Sequence, residues 1–465
     1  MTDDRSTAIE YARSQKKIYL NNLIELLKIP SVSTDPDRVT DMASAAEWLA
    51  AQLKSMGFKK IRIYPTAKHP VVFGEMIVSP QFPTVLIYGH YDVQPAEPLD
   101  LWQSAPFEPE LRGENLYARG ASDMKGQVIA TLSAVKAILA SGKLPVNLKY
   151  LLEGEEEIGS PSLPAFLEEH KEILGCTFAL NPDAGMTSPD LPTIVHALRG
   201  LAYFEVKVVG PAHDLHSGLY GGIVQNPAIV LSDLISGMHD AHGRITLPGF
   251  YDRVVPLTNE ERQEILRLPM DEAYYKKITG APALYGEEGY SPVERVGARP
   301  TLDVNGLYSG FIGSGSKTVI PSWAMAKISM RLVPNQDPNE VHQQLCKYLT
   351  DNAPETVTWD VQVYASGAAC LTDANHPAVK ALALAQETVW NCKPLYRREG
   401  GSIPVVADMR KILGVESVLT GFGLPDDNLH APNEKLHLPT WYRGIETLIH
   451  FFYNVAESNF NKGDA

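Results

Sequence analysis

The chain has 465 residues, 44% hydrophobic and 21% charged, an ordinary globular composition long enough for two or three domains. Its 41 basic and 55 acidic side chains give a formal charge of −14. That balance argues against nucleic acid or an anionic membrane as a partner, because both require a basic face.

In chain order, the opening MTDDRSTAIEYARSQKK has no apolar run behind its basic residues and does not read as a secretory signal. Residues 41–56 place Ala45, Trp48, Leu49, Leu53 and Met56 at helical spacing, and Gly57 supplies the stop. A β-rich stretch follows, with VVFGEM and the short apolar run TVLIYGH. LYARGASDMKGQVIATLSAVKAILASG predicts a turn and then a long helix ended by Gly142, and LPVNLKYLLEG predicts a buried strand ending at Gly154. Apolar strands between helices imply a sheet covered on both faces, where ligands gather at the carboxyl ends of the strands. From about Arg199 the pattern changes. AYFEVKVVG alternates as a half-exposed strand, NPAIVLSDLISGMHD predicts a helix, and a Pro- and charge-rich excursion runs from about 243 to 308. KTVIPSWAMAKISMRLVP then suits two strands, PNEVHQQLCKYLTDN a helix and TVTWDVQVY a strand. Without the excursion this is β-α-β-β-α-β, a ferredoxin-like layout. From about 375, HPAVKALALAQETVW, VVADMRKILG and TWYRGIETLIHFFYNV return to helix and strand. The expected fold class is α/β, one domain over 1–198 and 373–465 interrupted by an inserted α+β domain over 199–372. No segment is apolar for long enough to span a bilayer. Cys176, Cys346, Cys370 and Cys392 lie far apart with no CxxC pair, and read as reduced thiols of a cytoplasmic protein.

The chemistry-bearing residues sit where these strands end. In IYGHYDVQP, His90 and Asp92 are two apart, so their side chains leave on one side, and a carboxylate there suits the second N–H of a metal-binding imidazole. ARGASDMKG puts Asp123 in a glycine-flanked loop before a helix, a place where an aspartate is often only a cap. LLEGEEEIGS sets Glu155, Glu156 and Glu157 directly behind a buried strand. Such like charges repel unless a cation holds them or they face solvent, and solvent is the expectation for Glu155. NPDAG supplies Asp183, and GFGLPDDNLHAPNE supplies His430 with Glu434 four residues on. Two histidines and three or more carboxylates form the nitrogen and oxygen donor mix of a metal site with an open position. Two divalent ions would bring +4, balanced by Asp123, Glu157, Asp183 and one hydroxide.

GHYDVQP, GxSDMKG, EGxEExGS, DLHSG, KTVIP, RLVPNQDP, REGGSIPV and LHAPNE occur in this order in the dinuclear zinc metallopeptidase family of cytosolic nonspecific dipeptidase and carnosinase. The chain resembles that family over nearly its whole length, with acetylornithine deacetylase and succinyl-diaminopimelate desuccinylase as more distant relatives. The resemblance implies a zinc-peptidase-like catalytic domain with a lid and dimerisation domain inserted into it. It implies that His90 and Asp183 bind one metal, Glu157 and His430 the other, and that Asp123 bridges both, with a cis peptide at Asp123–Met124. Asp92 would orient His90, and Glu156 would be the general base. By that resemblance, two ions about 3.5–4 Å apart would lower the pKa of a shared water, Glu156 would take its proton, hydroxide would attack the amide, and Glu156 would later protonate the departing amine. His216 in DLHSG would stabilise the oxyanion in the active site of the partner subunit of a homodimer. Arg331 in SMRLVPNQDP would fork onto the substrate carboxylate. Thr318 and Ser402 would add hydroxyl contacts, and Gly401 would let the backbone approach closely. Glu155 departs from the family pattern and is expected to point away from Glu156.

The implied activity is hydrolysis of dipeptides or small peptides with two divalent ions, zinc foremost, although manganese or cobalt also suits the donors. The alternatives are an N-acyl amino acid deacylase on the same scaffold and a catalytically silent binding protein. The excursion at 243–308 with KTVIP and REGGSIP favours the dipeptidase branch.

Overall fold

The computed structural model describes residues 2–401, 403–458 and 460. The chain divides into two compact units. One comprises Met1–His196, Thr372–Arg397 and Pro404–Ala465, the other Ala197–Leu371 and Arg398–Ile403.

The first unit is built on a mixed sheet with helices packed against it. Its strands follow the order Lys59–Tyr64, Val71–Met76, Asn147–Glu153, Thr84–His90, Phe178–Asn181, Ser417–Leu419 and Thr193–Leu198. The four from Asn147–Glu153 to Ser417–Leu419 run parallel, and the flanking pairs are antiparallel. Every residue of Asn147–Glu153 is buried, as is every residue of Thr84–His90 except Thr84. That is the near-continuous burial of a strand covered on both faces. The covering helix Lys125–Ser141 is buried at thirteen of its seventeen positions, so its sequence is apolar nearly all round. The helix Leu438–Glu457 packs on it, and Trp441 Nε1 donates to Gly126 O at 2.7 Å in the middle of the core. The helix Val39–Ser55 ends where Gly57 adopts φ +87°, a conformation that carries no Cβ penalty for glycine.

Register decides where the strands deliver their side chains. His90 lies level with Glu153, and Ile87 with Leu180, so the parallel strands finish together. Glu156 and Glu157, Asp183 and the loop after Ser417–Leu419 therefore begin at one edge of the sheet, as the α/β class requires of a ligand site.

The second unit has the order β-α-β-β-α-β: Gly200–Val209, Pro227–Gly237, Thr301–Ser309, Trp323–Leu332, Pro338–Asn352 and Thr358–Gly367. Its antiparallel sheet runs Thr301–Ser309, Trp323–Leu332, Gly200–Val209, Thr358–Gly367. Val230, Leu231 and Leu234 from one helix and Val341, Leu345 and Leu349 from the other cover its apolar face. One element departs from the sequence-based reading. The second strand of the motif is Thr301–Ser309, inside the segment assigned to the excursion, whereas KTVIP gives only the short strand Val319–Ile320 paired with Leu215–His216. Thr301–Ser309 is an edge strand, exposed at most positions and with a register shift between Val304 and Gly306, so it lacks the alternation that announces a half-buried strand. The rest of the excursion forms the short helices Asn259–Ile265, Glu272–Thr279 and Pro292–Gly297, the first and last started by capping boxes. Among the described residues no helix is long and apolar enough to cross a membrane, and all four cysteines are free thiols.

Candidate metal centre

His90 closes its strand with no exposed surface. Its Nδ1 donates to the main-chain O of Asp92 at 3.1 Å, and the Asp92 carboxylate stands slightly farther off at 3.4 Å. Both groups fix the ring, and Asp92 has a second task. Its two carboxylate oxygens accept from the amides of Glu156 at 3.2 Å and Glu157 at 3.0 Å, so one side chain sets the imidazole and the turn carrying both glutamates. The opposite ring nitrogen, Nε2, is buried without a hydrogen-bond partner. It looks onto Asp123 Oδ1 at 3.2 Å, Asp183 Oδ2 at 3.9 Å and Glu156 Oε2 at 4.0 Å.

The other half of the site gathers around His430, held at φ +58° in its loop. Its Nε2 lies 2.9 Å from Asp123 Oδ2 and 3.4 Å from Glu157 Oε2. Asp123 thus stands between the two histidines, one oxygen toward each, and the peptide after it is cis. One donor atom from each of His90, Asp123 and Glu157 falls within 4.8 Å of the others.

Charge makes this cluster unlike a structural one. Among the described residues, no lysine or arginine pairs with Asp123, Glu156, Glu157 or Asp183; only the two histidines do. Lys125 is near in sequence, but its Nζ donates to the carbonyls of Leu26 and Ile29. Burial, opposed by His90 and reinforced by Asp183, Glu157 and Asp123, pushes Glu156 up to about 8. Burial and the Asp123 charge push Glu157 up to about 7, and burial takes Asp183 up to about 6. His430 is raised to about 9 by its bond to Asp123. Asp123 itself sits well below the carboxylate range, because the two histidines outweigh its burial. Half-buried carboxylates held mainly by two histidines, around an orphaned imidazole nitrogen, fit a site for divalent cations.

Glu155 corrects an expectation. It is turned away from Glu156 but does not reach solvent: it is 2% exposed, and it accepts from Thr66 Oγ1 at 2.6 Å, His69 N at 2.9 Å and Ser162 N at 3.0 Å. A carboxylate with three such donors is more comfortable inside than an isolated acid would be. Sequence reasoning named Glu434 without giving it a role and passed over Gln94, Ser122, Asp427 and Arg119. Gln94 donates to Glu157 Oε2 at 2.8 Å, Asp427 accepts from Ser122 Oγ at 2.8 Å, and Arg119 pairs with Glu434. Gln94 and Glu434 lay inside quoted motifs, GHYDVQP and LHAPNE, where their positions alone were a signal.

The remaining expected site residues belong to the second unit. His216 is exposed, opposite Val319, and its Nδ1 accepts from Gly218 N at 2.9 Å. Thr318 is exposed and its carbonyl accepts from Ser217 N. Arg331 lies half-buried on Trp323–Leu332, between Leu201 and Thr301 on the neighbouring strands. The carbonyl of Gly401 accepts from Arg199 N, and open space surrounds its α-carbon. Ser402 lies outside the described residues.

Residues 86–454 match the Peptidase family M20/M25/M40. The chain is 32% identical to the Cys-Gly metallodipeptidase DUG1 of Candida albicans, over 94% of this chain and 95% of that one. It is 32% identical to the human Beta-Ala-His dipeptidase, over 83% and 78% of the two chains. Its fold superposes on the M20 family metallo-carboxypeptidase Sso-CP2 from Sulfolobus solfataricus with a TM-score of 0.84 at 35% identity, covering 94% and 99% of the chains. The sheet edge that gathers His90, Asp123, Glu157, Asp183 and His430 is thus found in a chain that belongs to the M20/M25/M40 family of peptidases.

Proposed function

We propose that the protein is a metal-dependent dipeptidase, cleaving the amide bond of dipeptides or small peptides. The observation that carries this is the half-buried group of carboxylates around His90 and His430, with no lysine or arginine among the described residues to neutralise it. Family membership and the dipeptidase relatives support it, and they favour it over N-acyl amino acid deacylation.

His90 and Asp183 would hold one divalent ion, Glu157 and His430 a second, and Asp123 would span both. Zinc is proposed, with manganese or cobalt accepted by the same donors. Two such ions, when bound, supply positive charge that acidifies water and polarises a carbonyl. Glu156 is the residue of the group left without a ligand role. Its carboxylate takes the proton of the attacking water and returns it to the departing amine, for which a raised affinity for protons is suited. Asp92 keeps Glu156 and His90 in register by bonding the backbone of one and the ring of the other. For recognition, Arg331 would pair with the free carboxylate of the substrate, helped by Thr318, Ser402 and the backbone at Gly401. His216 would steady the oxyanion from the partner subunit of a homodimer. The insertion at 199–372 would serve as lid and dimerisation domain, and the enzyme would work in the cytoplasm.

The test is a panel of Ala-Ala, Gly-Leu, β-Ala-His, a tripeptide and N-acetyl amino acids, assayed after chelation and after zinc or manganese is restored. Metal-dependent cleavage of dipeptides is the expected result. Cleavage of N-acetyl substrates alone would move the protein to the deacylases, and preference for the longer peptide would align it with the carboxypeptidase Sso-CP2.

A further inference from the structure

Glu434 lies four residues beyond His430, has no exposed surface and is not among the ligands proposed above. Its two oxygens are fully engaged by one distant loop. Oε2 accepts from Arg119 Nη1 and from Gly120 N, each at 2.8 Å, and Oε1 accepts from Ser122 N at 3.0 Å and Asp123 N at 3.1 Å. Its carbonyl accepts from Ala118 N at 3.1 Å, so the same residue holds the loop through both side chain and backbone. Arg119, 1% exposed, extends the link. Its Nη2 donates to Pro95 O at 3.1 Å, in the segment that follows His90 and Asp92, and its guanidinium lies 5.5 Å from the ring centre of Trp102. Nε of Arg119 is buried without a hydrogen-bond partner, and among the described residues Glu434 is the one carboxylate that pairs with the guanidinium. Gly120 allows the close approach: it sits at φ +82°, and a Cβ there would come within 2.6 Å of Val93 Cγ1.

Three loops that carry His90, Asp123 and His430 therefore meet on one buried ion pair. We propose that Arg119 and Glu434 are positioning residues that set the relative placement of these three side chains and so set the affinity of the site for its metal ions. This rests on the metal centre proposed above. Four donors on one carboxylate leave it little freedom, and the amide of Asp123 is one of them, so any shift of Glu434 is passed to the residue that stands between both histidines. A buried pair of this kind is costly to break on one side, because the surviving charge has no compensation. Partners one bond removed from a metal ligand typically tune affinity by about 10- to 100-fold.

The test is competitive zinc titration of the full chain against a chromophoric chelator, with wild type, Glu434→Gln and Arg119→Lys. Circular dichroism of each metal-free protein reports folding. Glu434→Gln is expected to bind zinc about 10- to 100-fold more weakly, with kcat recovered by excess zinc and KM for a dipeptide unchanged. Arg119→Lys keeps the charge pair but loses the fork to Pro95, and is expected to weaken zinc in the same direction by a smaller factor. Either variant, folded and binding zinc within about twofold of wild type, overturns the role, since outer partners of ligands normally cost more. If Glu434→Gln fails to fold, Arg119→Lys decides on the same criterion. A wild-type chain that binds no zinc or manganese overturns the metal centre itself, and this role with it.

Discussion

Glu155→Gln separates a buried clamp from a spectator. In the native chain Oε1 of Glu155 faces Thr66 Oγ1 and His69 N, while Oε2 faces Ser162 N. Glutamine can put its oxygen toward only one side. If it keeps the first pair, its NH2 meets the amide of Ser162, and that part-buried N–H loses its acceptor at a cost of about 1–3 kcal/mol. The two remaining bonds lose charge assistance, which roughly halves each. The expected loss is about 2–4 kcal/mol, read as a fall of about 4–8 °C in Tm by differential scanning fluorimetry at neutral pH. The deficit has a direction in pH. Burial acts to raise Glu155, but its hydrogen bonds outweigh it and hold the group below the ordinary 4.5. A carboxylate lowered in the fold stabilises fully above its unfolded value and loses that contribution as pH falls, so wild type and variant should converge in acid. The carboxylate is turned away from Glu156, so the pH optimum for dipeptide hydrolysis should stay within about one unit. An unchanged Tm would show that the Glu155 carboxylate clamps nothing, and an optimum displaced further than that would show that it acts on Glu156.

Glu153, two residues earlier, should respond in the opposite way: it is buried, pushed up to about 8 by burial, and bonded to Tyr88 and Ser160, so it is neutral near pH 7. Glu153→Gln should shift Tm by no more than about 2 °C, because an amide replaces a neutral acid of the same shape. Metal-free protein should lose stability as pH rises from about 5 to about 8. Glu156, Glu157 and Asp183 are raised in the fold, so their folded state holds protons that the unfolded chain has released. The zinc-loaded protein should lack that slope, and zinc binding at pH 7 should release protons, measurable by calorimetry in buffers of different ionisation enthalpy. Gly120→Ala should lower Tm and weaken zinc binding together, since a side chain there meets both a left-handed φ and Val93. Arg331→Met should lower kcat/KM for dipeptides about 100-fold while leaving C-terminally amidated dipeptides little changed.

Much of the site was legible because the chain writes it at strand ends. His90, Glu156, Glu157 and Asp183 each follow an apolar run that had to be a covered strand, and the register of those strands brings the ends together. His430 follows a strand of only three residues, too short to read by periodicity, and came from the LHAPNE motif. Glu155 was misjudged because three acids in a row look like a solvated turn, and its donors come from Thr66 and His69, far behind it in sequence. The Arg119–Glu434 pair was invisible for the same reason on a larger scale: the partners stand 315 residues apart, and no local pattern announces a carboxylate that caps a distant loop. Thr301–Ser309 was lost to its exposure, since an edge strand with a bulge keeps neither alternation nor an apolar run.

This group of carboxylates and histidines is proposed to work by holding two ions while Glu156 moves the proton. The most direct measurement is zinc stoichiometry and dipeptide turnover on the same chelated and reconstituted samples of wild type and Glu156→Ala. Wild type is expected to regain hydrolysis as zinc fills two sites per chain, and Glu156→Ala to bind the same two ions with hydrolysis abolished. Full activity after exhaustive chelation, or undiminished turnover in Glu156→Ala, would contradict it.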